Sequence, residues 1–143
     1  MLECLIMGDS IAVGTANVRT ECVSYSKGGI NSWQWRKQYL EKDGGSLPQA
    51  KTVIISLGSN DHKGVKTVDE LRTIRKQVNA ERVFWILPHG NNPASGVDIG
   101  WIQSFVKVVA GENGDTVLPI TRVQTDNIHP SWAGYRYLAE KTK

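Results

Sequence analysis

No stretch of this 143-residue chain stays apolar for the roughly 20 residues that a membrane-spanning helix needs. The amino terminus, MLECLIMGDS, has a short apolar run broken by Glu3 and Cys4, so neither a signal peptide nor an anchor is expected and the cytoplasm is the default compartment. Lys and Arg exceed Asp and Glu by only 17 to 14. They are scattered, with no basic run interleaved with aromatics, which removes the usual mark of a nucleic-acid partner. Three histidines and two cysteines lack CxxC or HxxxH spacing, so no metal site is expected. Neither GxGxxG nor a P-loop occurs, and no cofactor is implied. The GxSxG elbow of the larger α/β-hydrolases is also missing. Cys4 and Cys22 fall in runs that read as strands, where buried free thiols are favoured over a disulfide.

What the chain does contain is an alternation of short apolar runs with segments of helical period, the pattern of a parallel sheet wrapped by helices. The length suits one domain over 1–143. Strands are expected over Glu3–Met7, Glu21–Tyr25, Thr52–Ser56, Arg82–Leu87 and Thr116–Leu118. Thr67 and Glu70 form a capping-box pattern ahead of Val68, Leu71, Ile74 and Val78. Ile99, Ile102, Phe105, Val106 and Val109 make a second stripe. Asn31 to Lys42 reads as a helix ended by Asp43-Gly44-Gly45, and a last helix starts at the N-cap Ser131. The fold expected is a three-layer α/β/α sandwich with a five-stranded, parallel, flavodoxin-like sheet.

In such sheets ligands sit beyond the carboxyl ends of the strands. The segments there are Gly8-Asp9-Ser10, Lys27-Gly28-Gly29, Gly58-Ser59-Asn60-Asp61, Pro88-His89-Gly90-Asn91-Asn92 and, after a longer loop, Asp126-Asn127-Ile128-His129. Acyl transfer by a serine needs a nucleophile, a base, a carboxylate to orient the base, and donors for the oxyanion. Ser10, His129 and Asp126 meet the first three needs. The Ser10 amide, Asn60 and either Gly28 or Gly29 meet the last, with Gly29 preferred because it directly precedes Ile30-Asn31-Ser32. Asp9 and Asp61 are expected to brace their turns, and His62 to face solvent.

GDSIAVG, a glycine ahead of the second helix, GSND and DNIHP occur in the order of the sequence blocks of the SGNH (GDSL-like) hydrolases, and the chain resembles that family over its whole length. The resemblance implies a serine esterase with Ser10, Gly29, Asn60 and His129 as the block residues and Asp126 completing a triad. The family spans lipases, thioesterases and carbohydrate deacetylases. Few long loops are available to build a deep pocket, so a short acyl group such as acetate is expected, on a small molecule or a saccharide. A non-catalytic binding or structural module is the alternative.

The tryptophan count of five is high. Trp85, Trp101 and Trp132 are expected in the core. Trp33 and Trp35 point about 200° apart on a helix, and Trp35 shares a face with Tyr39. Trp33 is therefore the candidate substrate wall. His89, on the ligand edge, is a second candidate contact.

Overall fold

A computed structural model describes residues 1–143, the side chain of Asp43 excepted. Strands β1 (Leu2–Gly8), β2 (Val23–Ser26), β3 (Ala50–Ser56), β4 (Ala80–Leu87) and β5 (Thr116–Pro119) form one sheet in the order β2-β1-β3-β4-β5. Every pairing is parallel. The connections are helical, α1 (Ser10–Val18), α2 (Ser32–Trp35), α3 (Thr67–Lys76) and α4 (Ile99–Glu112), and α5 (Trp132–Lys141) follows the last strand. The expected sandwich is what the chain adopts.

Two apolar clusters flank the sheet. Leu5, Met7, Val53, Ile55 and Trp85 face Trp35, Leu71, Ile74, Val106 and Val109 on the side of α2, α3 and α4. Ile6, Ile54, Phe84 and Ile86 face Ile11, Ala12 and Leu138 on the side of α1 and α5. Alternate residues of each central strand thus enter opposite clusters, which is why those strands read as unbroken apolar runs. The chain leaves β1 for β2 on one side and returns to β3 on the other. This reversal puts the topological switch point between β1 and β3, the crevice where such sheets bind ligands.

Several local expectations are corrected. Cys4 and Cys22 are joined in a disulfide with Cα atoms 4.8 Å apart. The register pairs Leu5 with Val23, so Cys4 and Cys22 stand at the preceding step of the ladder, one strand spacing apart. Strand β2 accordingly begins at Val23, later than Glu21. The segment expected as one helix is α2, then a π-helical turn (Arg36–Leu40) and a 3-10 turn (Glu41–Asp43). Asn31 caps α2 in a reciprocal box with Gln34. Thr67 does not cap α3: its hydroxyl donates to Asp61 Oδ2 at 2.8 Å, Lys66 stands at the cap without a side-chain bond, and Glu70 pairs with Arg36.

Trp85 is fully buried, as expected, but Trp101 and Trp132 are not core residues. Both lie in the first turn of a helix, on the side turned from the sheet, where helical period alone leaves the facing direction ambiguous. Trp35 is buried, stacked on Tyr39 with ring centres 5.3 Å apart, and donates to the Tyr25 carbonyl at 2.8 Å. No helix is long and apolar enough to cross a membrane.

Candidate active site

Ser10 opens α1 directly beyond β1. Gly8 makes that position possible: at φ 144° a Cβ there would lie 1.9 Å from the Ser56 carbonyl oxygen, so only glycine lets β1 end this close to β3. Asp9 then donates its amide to Ser56 O at 3.0 Å and caps α1, its Oδ1 accepting from Ile11 N at 3.0 Å and from the Ser56 hydroxyl at 3.1 Å. Its Oδ2 is buried with no partner. Burial, opposed by those hydrogen bonds, pushes the Asp9 carboxyl up to about 7.

The Ser10 hydroxyl lies 2.8 Å from Nε2 of His129. The other ring nitrogen, Nδ1, lies 2.6 Å from Asp126 Oδ2. The second carboxylate oxygen, Oδ1, accepts from the amides of Ile128 at 2.9 Å and His129 at 3.0 Å. One oxygen therefore shapes the turn while the other aims the imidazole. The hydrogen bond from the ring, helped by the two amides, holds the Asp126 carboxyl down to about 2. An ionised carboxylate only accepts, so Nδ1 carries the proton and the Nε2 lone pair faces the serine hydroxyl. Asn127 supports this turn with φ 62°, a conformation asparagine tolerates better than most residues.

Asn60 follows β3 across the switch point. Its Nδ2 donates to Ile30 O at 3.0 Å, and its Oδ1 accepts from Asn92 Nδ2 at 3.0 Å. Asn92 also donates to Ser59 O at 3.1 Å. The amide of Asn60 thus has its orientation fixed from both ends, with one N–H left over. Asn92 was missed as a functional residue because its partner is 32 positions away and an asparagine in a polar loop carries no sequence signal of its own.

Beyond β2, Lys27 to Ile30 form a turn closed at 3.4 Å, with Gly29 at φ 77°, the third-position geometry for which glycine is preferred. Neither the Gly28 nor the Gly29 amide, nor that of Ser10, is hydrogen-bonded within the chain among the described residues. A Cβ on Gly28 would stand 3.9 Å from the Ser10 Cβ, while one on Gly29 would meet nothing. Asp61 ties this region together. It is buried, its Oδ1 accepts from Ser32 N at 2.8 Å and its Oδ2 accepts from Thr67. Burial raises its pKa against those bonds.

His89 donates from Nδ1 to the Asn127 carbonyl at 2.8 Å, which joins the loop after β4 to the turn bearing His129. His62 is exposed. Trp33 is also exposed, one position beyond the start of α2. A cavity of about 570 Å³ lies between the starts of α3 and α4 and is lined by His62, Val65, Val68, Trp101, Ile102 and Phe105, among others. Neither Ser10 nor His129 lines it. Among the described residues no cluster of metal-ligating side chains is present.

No protein-family model and no curated protein matches the sequence. Solved structures do match. A GDSL-like lipase from Bacteroides thetaiotaomicron is 15% identical with a TM-score of 0.65, over 96% of this chain and 83% of that one. A member of the lipolytic protein G-D-S-L family from Veillonella parvula is 17% identical with a TM-score of 0.64, over 99% and 96%. The C-terminal catalytic domain of peptidoglycan O-acetyltransferase A from Streptococcus pneumoniae is 16% identical with a TM-score of 0.67, over 96% and 88%. The chain therefore shares its α/β/α fold with these proteins.

Proposed function

We propose that this chain is a serine esterase of the SGNH (GDSL-like) hydrolase family. The observation that carries the reading is the continuous hydrogen-bond chain from Ser10 through His129 to Asp126, set beside unpaired amides at Ser10 and Gly28-Gly29. The fold shared with a GDSL-like lipase supports it.

In this reaction Nε2 of His129 takes the proton of the Ser10 hydroxyl as its oxygen attacks the ester carbonyl. The C=O electron pair moves onto oxygen, where the amides of Ser10 and Gly29 and the free N–H of Asn60 stabilise it. Asp126 stabilises the imidazolium that has formed. The C–O bond to the alcohol then breaks, and His129 returns its proton to that oxygen. Water, deprotonated in turn by His129, releases the acid from Ser10. No step requires a cofactor.

For substrate, the reading is a short acyl ester, acetyl foremost, on a small molecule or a saccharide. The likeness to a peptidoglycan O-acetyltransferase domain supports a small acyl group. The test is a panel of p-nitrophenyl esters of rising chain length, run with Ser10→Ala and with a fluorophosphonate label. Ser10→Ala is expected to remain folded and to lose roughly 10³-fold or more in turnover. Undiminished turnover in that variant, or labelling elsewhere, would assign the nucleophile to another residue.

A further inference from the structure

The base and its carboxylate ride on a segment that the sheet does not hold. Residues 121–131 follow β5 and fold back on themselves before α5. Gln124 N donates to His129 O at 2.8 Å, Asn127 N to Gln124 O at 3.0 Å and Ser131 N to Arg122 O at 2.9 Å, and Val123 bridges Pro130. These bonds shape the turn but are internal to it. The side chains of His129 and Asp126 are 35% and 41% exposed, so packing alone does not fix them. Among the described residues only two hydrogen bonds run from this segment to any element other than α5. One joins His129 Nε2 to Ser10 Oγ; it is made by the reacting atoms themselves. The other is donated by His89 Nδ1 to the Asn127 carbonyl at 2.8 Å.

His89 stands on a fixed support. Its loop is held at Pro88, whose carbonyl accepts from Gln103 Nε2 at 2.8 Å, and at Asn91, whose Oδ1 accepts from Ile99 N at 2.8 Å. Both donors belong to α4, which buries Val106 and Val109 in the core. Gly90 adds a contact of shape. At φ 70° a Cβ there would lie 2.1 Å from the Asn127 carbonyl oxygen, so the loop backbone lies directly on the peptide that His89 binds. On the receiving side Asn127 takes φ 62°, and the amides of Ile128 and His129 donate to Asp126. Two positions beyond Gly90, Asn92 donates to Asn60 Oδ1 at 3.0 Å. One loop, backed by one helix, thus reaches both the turn of the base and the oxyanion donor.

We infer that His89 is a positioning residue: through the Asn127 carbonyl it holds the His129 turn in register with Ser10, above all while the serine is acylated. The inference rests on the esterase reading and deepens it. In the acyl-enzyme Oγ carries the acyl group and no proton, so it no longer donates to Nε2. Nε2 must nevertheless take a proton from the incoming water in the same place. At that stage the His89 bond is the polar tether left between the turn and the other elements. A misplacement of about 1 Å at a reacting group costs up to about 10²-fold in rate. The imidazole suits the task, because Nδ1 donates both in the neutral Nδ1–H tautomer and in the imidazolium. A second role open to a histidine at this edge, direct contact with substrate, differs in what it would change: binding of substrate rather than the rate of deacylation.

The test follows pre-steady-state and steady-state hydrolysis of p-nitrophenyl acetate and p-nitrophenyl butyrate by wild type, His89→Ala and His89→Asn. His89→Ala is expected to lower kcat about tenfold or more and kcat/KM by less. It should also release a burst of about one p-nitrophenol per enzyme, since deacylation bears the greater loss. His89→Asn places an amide Nδ2 where the ring Nδ1 stood, and that nitrogen donates likewise. This variant should recover most of the rate and lose the enlarged burst. In the His129→Ala background His89→Ala should cost nothing further. Unchanged kcat, a loss confined to KM, a loss that His89→Asn does not recover, or additivity with His129→Ala would overturn the inference. Absence of hydrolysis of every ester by wild type, with Ser10 unlabelled by fluorophosphonate, counts against the esterase reading instead. The low-field proton resonance of the His129 Nδ1–H bonded to Asp126 then decides the positioning role. His89→Ala should shift or broaden it and His89→Asn should restore it; a resonance identical in all three proteins would show that His89 does not hold the turn.

Discussion

Asn92 bonds both Asn60 and the Ser59 carbonyl, and its bond to Asn60 denies that amide a second orientation. With Asn92 donating to Oδ1 and Ile30 accepting from Nδ2, an inverted Asn60 would face a donor with a donor and an acceptor with an acceptor. Asn60→Ala is expected to lower kcat by about 10²–10³ with little change in KM, since an oxyanion donor acts mainly in the transition state. Asn92→Ala should also lower kcat at constant KM, and should cost almost nothing further in the Asn60→Ala background. Additive losses in that double-mutant cycle would show that Asn92 acts elsewhere. The pH profile separates the two members of the dyad. Asp126 has its pKa lowered to about 2, so it stays ionised through the acid range and protonates only below it. Any acid limb of the activity profile should therefore carry no proton uptake by Asp126. Asp126→Asn should cut kcat by about 10² or more, because the ring is no longer held with Nδ1 protonated. A two-proton acid limb would place Asp126 among the groups titrating there.

Among the elements, β2 depends most on a covalent tie. It has four residues, pairs with β1 alone and carries the turn holding Gly28 and Gly29. The Cys4–Cys22 disulfide anchors its entry, across a separation of 18 residues. Closing a loop of that size contributes about 3 kcal/mol in the chain-entropy account. Reduction, or the paired change Cys4→Ser with Cys22→Ser, is expected to lower Tm by several degrees. Oxyanion stabilisation should suffer with it, since the turn rides on the same strand. An unaltered Tm after verified reduction would mean that strand pairing and the packing of Trp35 and Tyr39 against β2 suffice. The boundaries of α2 make the same point about element-level reading. The helix starts where the sequence placed it, because Asn31 and Gln34 cap each other, a pattern no more legible than the Thr67–Glu70 pair that serves Asp61 and Arg36 instead. Local spacing offers both boxes equally, and tertiary partners choose between them.

Over the whole molecule, stability carries a signature of the buried carboxylate beneath the nucleophile. The Asp9 pKa stands at about 7 in the folded chain, whereas an unfolded aspartate titrates near 3.9. Between about pH 4 and 7 the native state holds the extra proton, so stability falls as pH rises through that window, and the cost is complete above it. Asp9→Asn should flatten this part of the Tm profile between pH 4 and 8; an unchanged slope would assign it to other groups. Period and turn chemistry are properties of neighbouring residues, and the sequence by itself determined what depends on them: five strands alternating with helices, and the short polar segments at the strand ends that bear Ser10, Gly29, Asn60, Asp126 and His129. Tertiary structure decided what depends on residues distant in the chain. Parallel register brought Cys4 to Cys22, loop packing joined Asn92 to Asn60, and the rotation of α4 and α5 about their axes turned Trp101 and Trp132 outward. Each of these is settled by how one element docks on another, and short-range pattern holds no record of it.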